Sequence, residues 1–284
     1  MKVAIASGKG GTGKTFVSTN LFWVAQQTGS PVTLVDCDAE EPNVREFISG
    51  GESFNQTVFQ HIPVIDTERC TYCGLCFEYC NYNAIVFLPE TRFILVVEDL
   101  CHDCGACTVA CKFGAITERE KALGTVTSMS FDSHSEIIES CTEIGVYSPV
   151  PVIKKATAAA DDKFLTFLDS PPGISCPFIA TVEPADFVVL VTEPTPFGLH
   201  DLKLSIKTLL EINKPFGVVI NRAGLGNNEV NYWLCKKNIP LLLEIPFDRE
   251  IARDYSEGLL AAKENPVYRM LFEDLLKSVK KMMS

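Results

Sequence analysis

The chain has 284 residues, 46% of them hydrophobic, which is enough for one large or two small domains with a full core. Its formal net charge of −11 argues against nucleic acid as the main partner, because phosphate binding needs a basic surface. No apolar run is long enough to predict a membrane-spanning helix. The N-terminal sequence MKVAIASGKGG is typical of a strand and a loop rather than a secretory signal, so we expect a cytoplasmic protein.

A glycine-rich loop lies between the first predicted strand, residues 2–7, and the first predicted helix, residues 15–27. Its sequence GKGGTGKT lets backbone N–H groups point at phosphate oxygens, and the helix N-terminus adds partial positive charge. Lys14 is expected to reach the β- and γ-phosphates, and Thr15 to give a hydroxyl to Mg²⁺. An ordinary glycine-rich turn is the alternative. The flanking strand and helix and the later acidic residues favour a nucleoside triphosphate site.

Further short apolar runs follow at residues 31–36, 164–169, 187–192, 216–221 and 239–245. Each is rich in branched residues, and helix-length segments separate most of them. This pattern is typical of buried parallel strands. The sequence therefore predicts an α/β fold with a mostly parallel sheet flanked by helices.

The pattern breaks between about residues 61 and 119, where the chain repeats itself. CTYCGLCFEYCNYNAI, from Cys70, aligns with CHDCGACTVACKFGAI, from Cys101. The two match at all four cysteines, at the glycine after the second cysteine, and at the final Ala-Ile. The link between the halves predicts a hairpin with its turn near 89–91. Eight of the chain's twelve cysteines lie in this repeat, which favours metal in a reducing compartment over disulfides.

The spacing C-x2-C-x2-C-x3-C in both halves resembles that of two-cluster bacterial ferredoxins. The resemblance implies two [4Fe–4S] clusters and an α+β ferredoxin-like module, in which the fourth cysteine of each run binds the other cluster. The implied ligands are Cys70, Cys73, Cys76 and Cys111 for the first cluster, and Cys101, Cys104, Cys107 and Cys80 for the second. The usual proline after the fourth cysteine is Asn81 in one run and Lys112 in the other. A pair of structural zinc sites is the alternative.

The remaining motifs resemble the MinD/ParA/Mrp class of P-loop ATPases, which includes the nitrogenase iron protein. The second loop lysine, Lys9, matches the class lysine that reaches across a dimer interface to the partner's nucleotide. The segment LVDCDAEEPN implies Asp38 for orienting the attacking water and Asp36 near magnesium, while FLTFLDSPPG implies Asp169 as a further magnesium residue. The implied nucleotide-binding residues are Gly8, Lys9, Gly10, Gly11, Thr12, Gly13, Lys14, Thr15 and Phe16, with Asn221, Arg222, Pro246 and Asp248 near the base.

Chains of this build resemble a MinD-superfamily group in which a ferredoxin domain is inserted into the ATPase. We expect the ATPase domain at residues 1–60 and 120–284 and the inserted module at 61–119. The resemblance implies Mg²⁺-dependent ATP hydrolysis, with Lys9, Lys14 and Asp38 as the catalytic residues. It also implies a homodimer, or a heterodimer with a paralogous ATPase.

Four cysteines lie outside the repeat. Cys141 and Cys176 stand at the same offsets from Asp169 as the cluster ligands of the nitrogenase iron protein, which implies a possible third [4Fe–4S] cluster bridging two subunits. The alternative is that both are thiols packed as small apolar residues. Cys37 and Cys235 are interpreted as structural.

The C-terminal segment 265–284 is amphipathic, with Leu271, Phe272, Leu275, Leu276 and Val279 on one face. MinD binds membrane through such a helix, but packing on the sheet gives the same pattern. Three lysines partly offset by Glu273 and Asp274 make a weak electrostatic anchor, so we expect no membrane partner.

Three functions remain open at this level. The first is an ATP-dependent iron–sulfur protein that passes electrons, or a whole cluster, to an acceptor protein. The second is a positioning or partitioning ATPase whose clusters are structural or redox-sensing. An amide-forming ligase of the cobyrinic-acid type ranks last, because the sequence offers no glutamine-hydrolysing domain.

Overall fold

The computed structural model describes residues 1–283. The strands in this range are β1 (Lys2–Ala6), β2 (Val32–Asp36), β3 (Glu52–Ile65), β4 (Ile85–Leu88), β5 (Phe93–Val96), β6 (Ile116–Ser130), β7 (Ser135–Thr142), β8 (Leu165–Asp169), β9 (Phe187–Thr192), β10 (Phe216–Ala223) and β11 (Leu241–Pro246). The α-helices are α1 (Lys14–Gln27), α2 (Leu75–Glu78), α3 (Ala106–Ala110), α4 (Val150–Ala159), α5 (Cys176–Val182), α6 (Pro196–Glu211), α7 (Glu229–Lys237), α8 (Arg249–Ser256), α9 (Ala261–Glu264) and α10 (Pro266–Met283).

The main sheet has the strand order β11-β10-β9-β1-β8-β2-β7-β6-β3. Every neighbouring pair from β11 to β7 is parallel. The central strands β2, β8 and β9 are buried along almost their whole length, as expected where helices cover both faces. The predicted α/β fold with a mostly parallel sheet is confirmed.

Strands β3, β6 and β7 were missed by the sequence analysis. β3 is mostly exposed over its first half, and β6 contains several charged residues, so neither presents a continuous apolar run. β7 has only the adjacent Ile137 and Ile138 as aliphatic residues, yet it pairs in parallel with β2. Its place in the sheet depends on the neighbouring strand, which local sequence does not encode.

The chain divides into two compact units. The first comprises residues 1–56, 125–142 and 148–284, and the second comprises 57–124 and 143–147. The short segment 143–147 was expected in the ATPase domain. Its backbone instead joins the second unit through a hydrogen bond from Glu143 N to Leu123 O at 2.8 Å.

The first unit has its core between the sheet and the helices α1 and α10. The side chains of Phe272, Leu275 and Val279 on α10 are almost fully buried there, together with Phe16 and Phe22 of α1. The apolar face of the C-terminal helix is therefore occupied by the protein's own core. No helix within residues 1–283 has the length and apolar character needed to cross a membrane.

The second unit contains an antiparallel hairpin and two short helices. β4 and β5 pair from Ile85 opposite Val96 to Leu88 opposite Phe93, and a 3₁₀ turn at Pro89–Thr91 joins them, which confirms the predicted hairpin. Helices α2 and α3 each follow a glycine with positive φ, Gly74 and Gly105. These glycines occupy the same place in the two repeats, so the internal repeat is also a structural one.

Candidate functional site

The phosphate loop connects β1 to α1 in the first unit. Gly13 has φ of 97°, and a Cβ there would lie 2.2 Å from the Asn221 amide nitrogen, so this position requires glycine. Lys14 begins α1 and is only 7% exposed. Burial lowers the pKa of Lys14, while the charges of Asp169 and Asp38 oppose this effect. A buried cation beside a turn of free N–H groups favours a phosphate ligand.

Two buried carboxylates stand side by side at the carboxyl end of the sheet. Asp36 ends β2 and Asp169 ends β8, and the two are paired in the strand register. Asp36 accepts backbone hydrogen bonds from Asp38 at 3.1 Å, Asn43 at 2.9 Å and Val44 at 3.0 Å. Burial, and then the charge of Asp169, raises the pKa of Asp36 to about 8 despite these bonds.

Asp169 is 1% exposed, and neither of its carboxylate oxygens makes a hydrogen bond of normal geometry, although the Thr15 and Ser18 side chains lie close to it. Burial raises its pKa to about 6, and the neighbouring Thr15 and Lys14 oppose the rise. A buried carboxylate without a partner is costly unless a cation or ordered water completes it. Asp169, Asp36 and the Thr15 hydroxyl therefore fit a hydrated Mg²⁺ at this edge.

Asp38 lies two residues beyond the end of β2 and is half-buried. Burial raises its pKa to about 6, and the positive charge of Lys14 opposes that rise. A carboxylate with a pKa near neutrality beside the phosphate lysine suits a group that orients and polarises water. The fold thus brings Asp38, Lys14 and Asp169 into electrostatic contact from three separate motifs.

Glu193, which sequence reasoning missed, connects two of the predicted residues. It directly follows β9 and is paired with Lys9, whose Nζ lies 3.2 Å from its carboxylate. The same carboxylate accepts a hydrogen bond from the Arg222 guanidinium. The side chain of Glu193 is only 12% exposed. No sequence pattern marks this residue, because its partners lie on β10 and in the phosphate loop.

A cavity of about 220 Å³ that is open to solvent lies next to the phosphate loop. Its walls include the expected residues Gly11, Gly13, Phe16, Asn221, Arg222, Pro246 and Asp248, and also Phe247, Ile251 and Tyr255, which sequence analysis did not identify. The Asn221 amide nitrogen donates to Thr12 O at 2.8 Å, which fixes that side chain against the loop. Asp248 caps α8 by accepting from Glu250 N at 2.8 Å.

Gly8, Gly10 and Thr12 do not line this cavity. A Cβ at Gly8 would lie 2.5 Å from Asp201 O, so glycine is required there by close packing of the loop on α6. The hydroxyl of Thr12 is buried and has no hydrogen-bond partner. Lys9, Lys14 and Thr15 also do not line this cavity.

The eight repeat cysteines separate into two sets in the second unit. Cys70, Cys73, Cys76 and Cys111 line one small cavity, the first cysteine cavity. Cys80, Cys101, Cys104 and Cys107 line another, the second cysteine cavity. Each set contains the fourth cysteine of the other run.

Each set of four cysteines lines one cavity. Within residues 1–283, no three His, Cys, Asp or Glu side chains are close enough to hold a single metal ion. Four thiols around a cavity fit the donor set of a [4Fe–4S] cluster, which is larger than one ion.

The cysteines outside the repeat have different surroundings. Cys141 lies near the carboxyl end of β7 and is half-buried, while Cys176 begins α5 and is exposed. Cys37 is fully buried near Thr157, and burial raises the pKa of its thiol, which agrees with a structural role. Cys235 is exposed on α7, so the structural interpretation is wrong for that residue because it fills no core space.

Comparison with known proteins found relatives of the whole chain and of a shorter part of it. The CobQ/CobB/MinD/ParA nucleotide-binding domain matches residues 3–261. The uncharacterised protein MJ0579 of Methanocaldococcus jannaschii is 30% identical over 281 residues, covering 96% of each chain. The cell division ATPase MinD of Pyrococcus furiosus superposes with a TM-score of 0.61 at 21% identity, covering 99% of this chain and 98% of that one. An uncharacterised ferredoxin of M. jannaschii, MJ0265, is 35% identical over 65 residues, which are 22% of this chain and 36% of that protein.

Proposed function

Because the chain belongs to the CobQ/CobB/MinD/ParA family of nucleotide-binding proteins, we propose that it couples Mg²⁺-dependent ATP hydrolysis to electron transfer through two [4Fe–4S] clusters. ATP binding closes a dimer, and the closed state changes the clusters' potential or accessibility toward an acceptor protein. Such coupling requires that ATP bind the two states unequally.

The nucleotide half rests on the buried carboxylates. Asp169 and Asp36 with the Thr15 hydroxyl would hold Mg²⁺, which neutralises phosphate charge when bound. Lys14 contacts the phosphates, Asp38 orients the attacking water, and the cavity lined by Asn221 and Tyr255 receives the base. Lys9 reaches the partner's nucleotide after leaving Glu193.

The observation that carries the redox half is the separation of the cysteines into two cavities, each with four thiols. The two sets would hold the clusters, whose chemistry when bound is the one-electron change of iron–sulfur centres. Four protein ligands for each cluster suit electron transfer better than delivery of the cluster to another protein. Cys141 and Cys176 offer two ligands per chain, so a labile third cluster at those residues is the basis of the delivery alternative.

The test is a redox titration of anaerobically purified protein, with and without ATP and Mg²⁺. We expect about eight iron atoms per chain and a nucleotide-dependent shift in potential or in cluster accessibility. Colourless protein, or zinc in place of iron, would refute the redox half. No shift in either quantity would leave two uncoupled modules. If cluster-free protein kept full ATPase activity and partner binding, the positioning or partitioning ATPase would be the correct function.

A further inference from the structure

The two cysteine cavities are related by the repeat but differ in charge. Asp103 of the second cavity takes the place of Tyr72 in the first, and Tyr82 takes the place of Phe113. Both Asp103 and Tyr72 have positive φ, 52° and 56°, so their side chains leave the backbone in the same way. The repeat therefore provides an internal comparison in which the backbone is kept and the side chain changes.

Negative charge lines the second cavity. The carboxylates of Asp103 and Glu118 both belong to its wall. Glu118 is held there by the Thr108 hydroxyl, which donates to its Oε1 at 2.6 Å. His61 lies 3.3 Å from Asp103 and is a neutralising partner only when protonated.

The first cavity has no charged residue other than its cysteines in its wall, and arginine lies near it. The Arg92 guanidinium stands over the Tyr72 ring at 5.5 Å from the ring centre. An Arg69 nitrogen lies 3.5 Å from the place that a Cβ on Gly114 would occupy, three residues after Cys111. The first cavity therefore has arginines nearby, whereas the second has carboxylates in its wall.

The backbone hydrogen bonds to sulfur are alike in the two cavities. Ala115 N donates to Cys111 Sγ at 3.3 Å, and its repeat mate Ala84 N donates to Cys80 Sγ at 3.3 Å. Tyr72 N donates to Cys70 Sγ at 3.4 Å, and Asp103 N donates to Cys101 in the same way. Thr108, which stands where the first repeat has Phe77, adds a hydroxyl contact to Cys107, but this hydroxyl donates its proton to Glu118 at 2.6 Å. Among the factors that set the potential of an iron–sulfur cluster, nearby charge is therefore the larger difference.

We propose that the two cavities impose different reduction potentials, and that the cluster held by Cys80, Cys101, Cys104 and Cys107 has the lower one. Adding an electron increases negative charge, which the carboxylates of Asp103 and Glu118 disfavour at short range in a partly buried site. The reduced form therefore accumulates at the first cavity. This inference rests on the proposed iron–sulfur function.

The experiment is an EPR-monitored redox titration of the full chain at pH 8. Wild-type protein is expected to give two one-electron waves that differ at least tenfold in reduced-to-oxidised ratio, or about 59 mV. Asp103→Asn should raise only the lower wave, because it removes one charge and asparagine tolerates positive φ. Glu118→Gln should do the same, because it removes the other carboxylate in the wall of that cavity.

The first cavity supplies matched controls. Tyr72→Asp should lower only the upper wave. Tyr72→Asn introduces a neutral side chain of the same size as aspartate, and it should leave the gap between the waves as in wild type. A single coincident wave in iron-replete wild-type protein would overturn the inference while keeping the proposed function. The inference would also be wrong if Asp103→Asn and Glu118→Gln both shifted the upper wave, or if both left the two waves unchanged. Protein without iron would refute both.

Discussion

Glu193 forms an ion pair with Lys9 of its own subunit. This pair opposes any change in which Lys9 moves to another subunit. If Lys9 crosses to the partner's nucleotide in an ATP-bound dimer, its pair with Glu193 must break in both subunits. The substitution Glu193→Gln removes the charge and keeps the shape. We therefore expect the variant to form the ATP-dependent dimer more readily.

The structure sets the size of this effect. The Lys9 side chain is 32% exposed and Glu193 is 12% exposed, so the pair lies between a surface ion pair and a buried one. We assign it about 1 kcal/mol, the upper end for exposed pairs. Two pairs then contribute about 2 kcal/mol, which corresponds to a dimer Kd about 30-fold lower in the variant.

Sedimentation equilibrium with a non-hydrolysable ATP analogue measures this Kd. Glu211→Gln is the matched control, because Glu211 pairs with Lys207 on the exposed surface of α6. Its dimer Kd should stay within about twofold of wild type. If the dimer Kd of Glu193→Gln is unchanged or higher, Glu193 does not oppose dimer formation but positions Lys9 for it.

Three further predictions follow from the carboxylate site, the C-terminal helix and the two remaining cysteines. Metal-free protein should lose stability as pH rises from about 4 to about 8, because burial raises the pKa of Asp36 to about 8 and the folded state then binds more protons than the unfolded one. Over the same rise in pH, Mg²⁺–nucleotide should bind more tightly and its binding should release protons, which calorimetry in several buffers measures. Asp36→Asn should weaken the pH dependence of both stability and binding. Phe272→Ala should lower the free energy of unfolding by about 3–5 kcal/mol in urea melts, whereas Met270→Ala on the exposed side of α10 should change it by less than about 0.5 kcal/mol. Stability that is unchanged in Phe272→Ala, with loss of liposome binding, would instead support a membrane role. If Cys141 and Cys176 bind a shared cluster, Cys141→Ala/Cys176→Ala should lower iron from about ten to about eight atoms per chain, and unchanged iron would exclude that cluster.

Local chain geometry explains what was predictable. The phosphate loop is encoded by a few consecutive residues, because Gly13 must adopt positive φ and Lys14 must begin the helix. The cysteine runs are equally local, since three sulfurs within seven residues, as at Cys70 to Cys76, converge through backbone geometry alone. Short apolar runs likewise predicted the buried strands of the sheet.

By itself, the sequence determined the phosphate loop, the paired cysteine runs and the α/β class, because each depends on residues close together in the chain. The tertiary structure alone decided that Asp36 stands beside Asp169, that Glu193 joins Lys9 to Arg222, and that acidic side chains line only one cysteine cavity. These contacts join residues that are far apart in the chain. They depend on strand order and register, which no local pattern specifies.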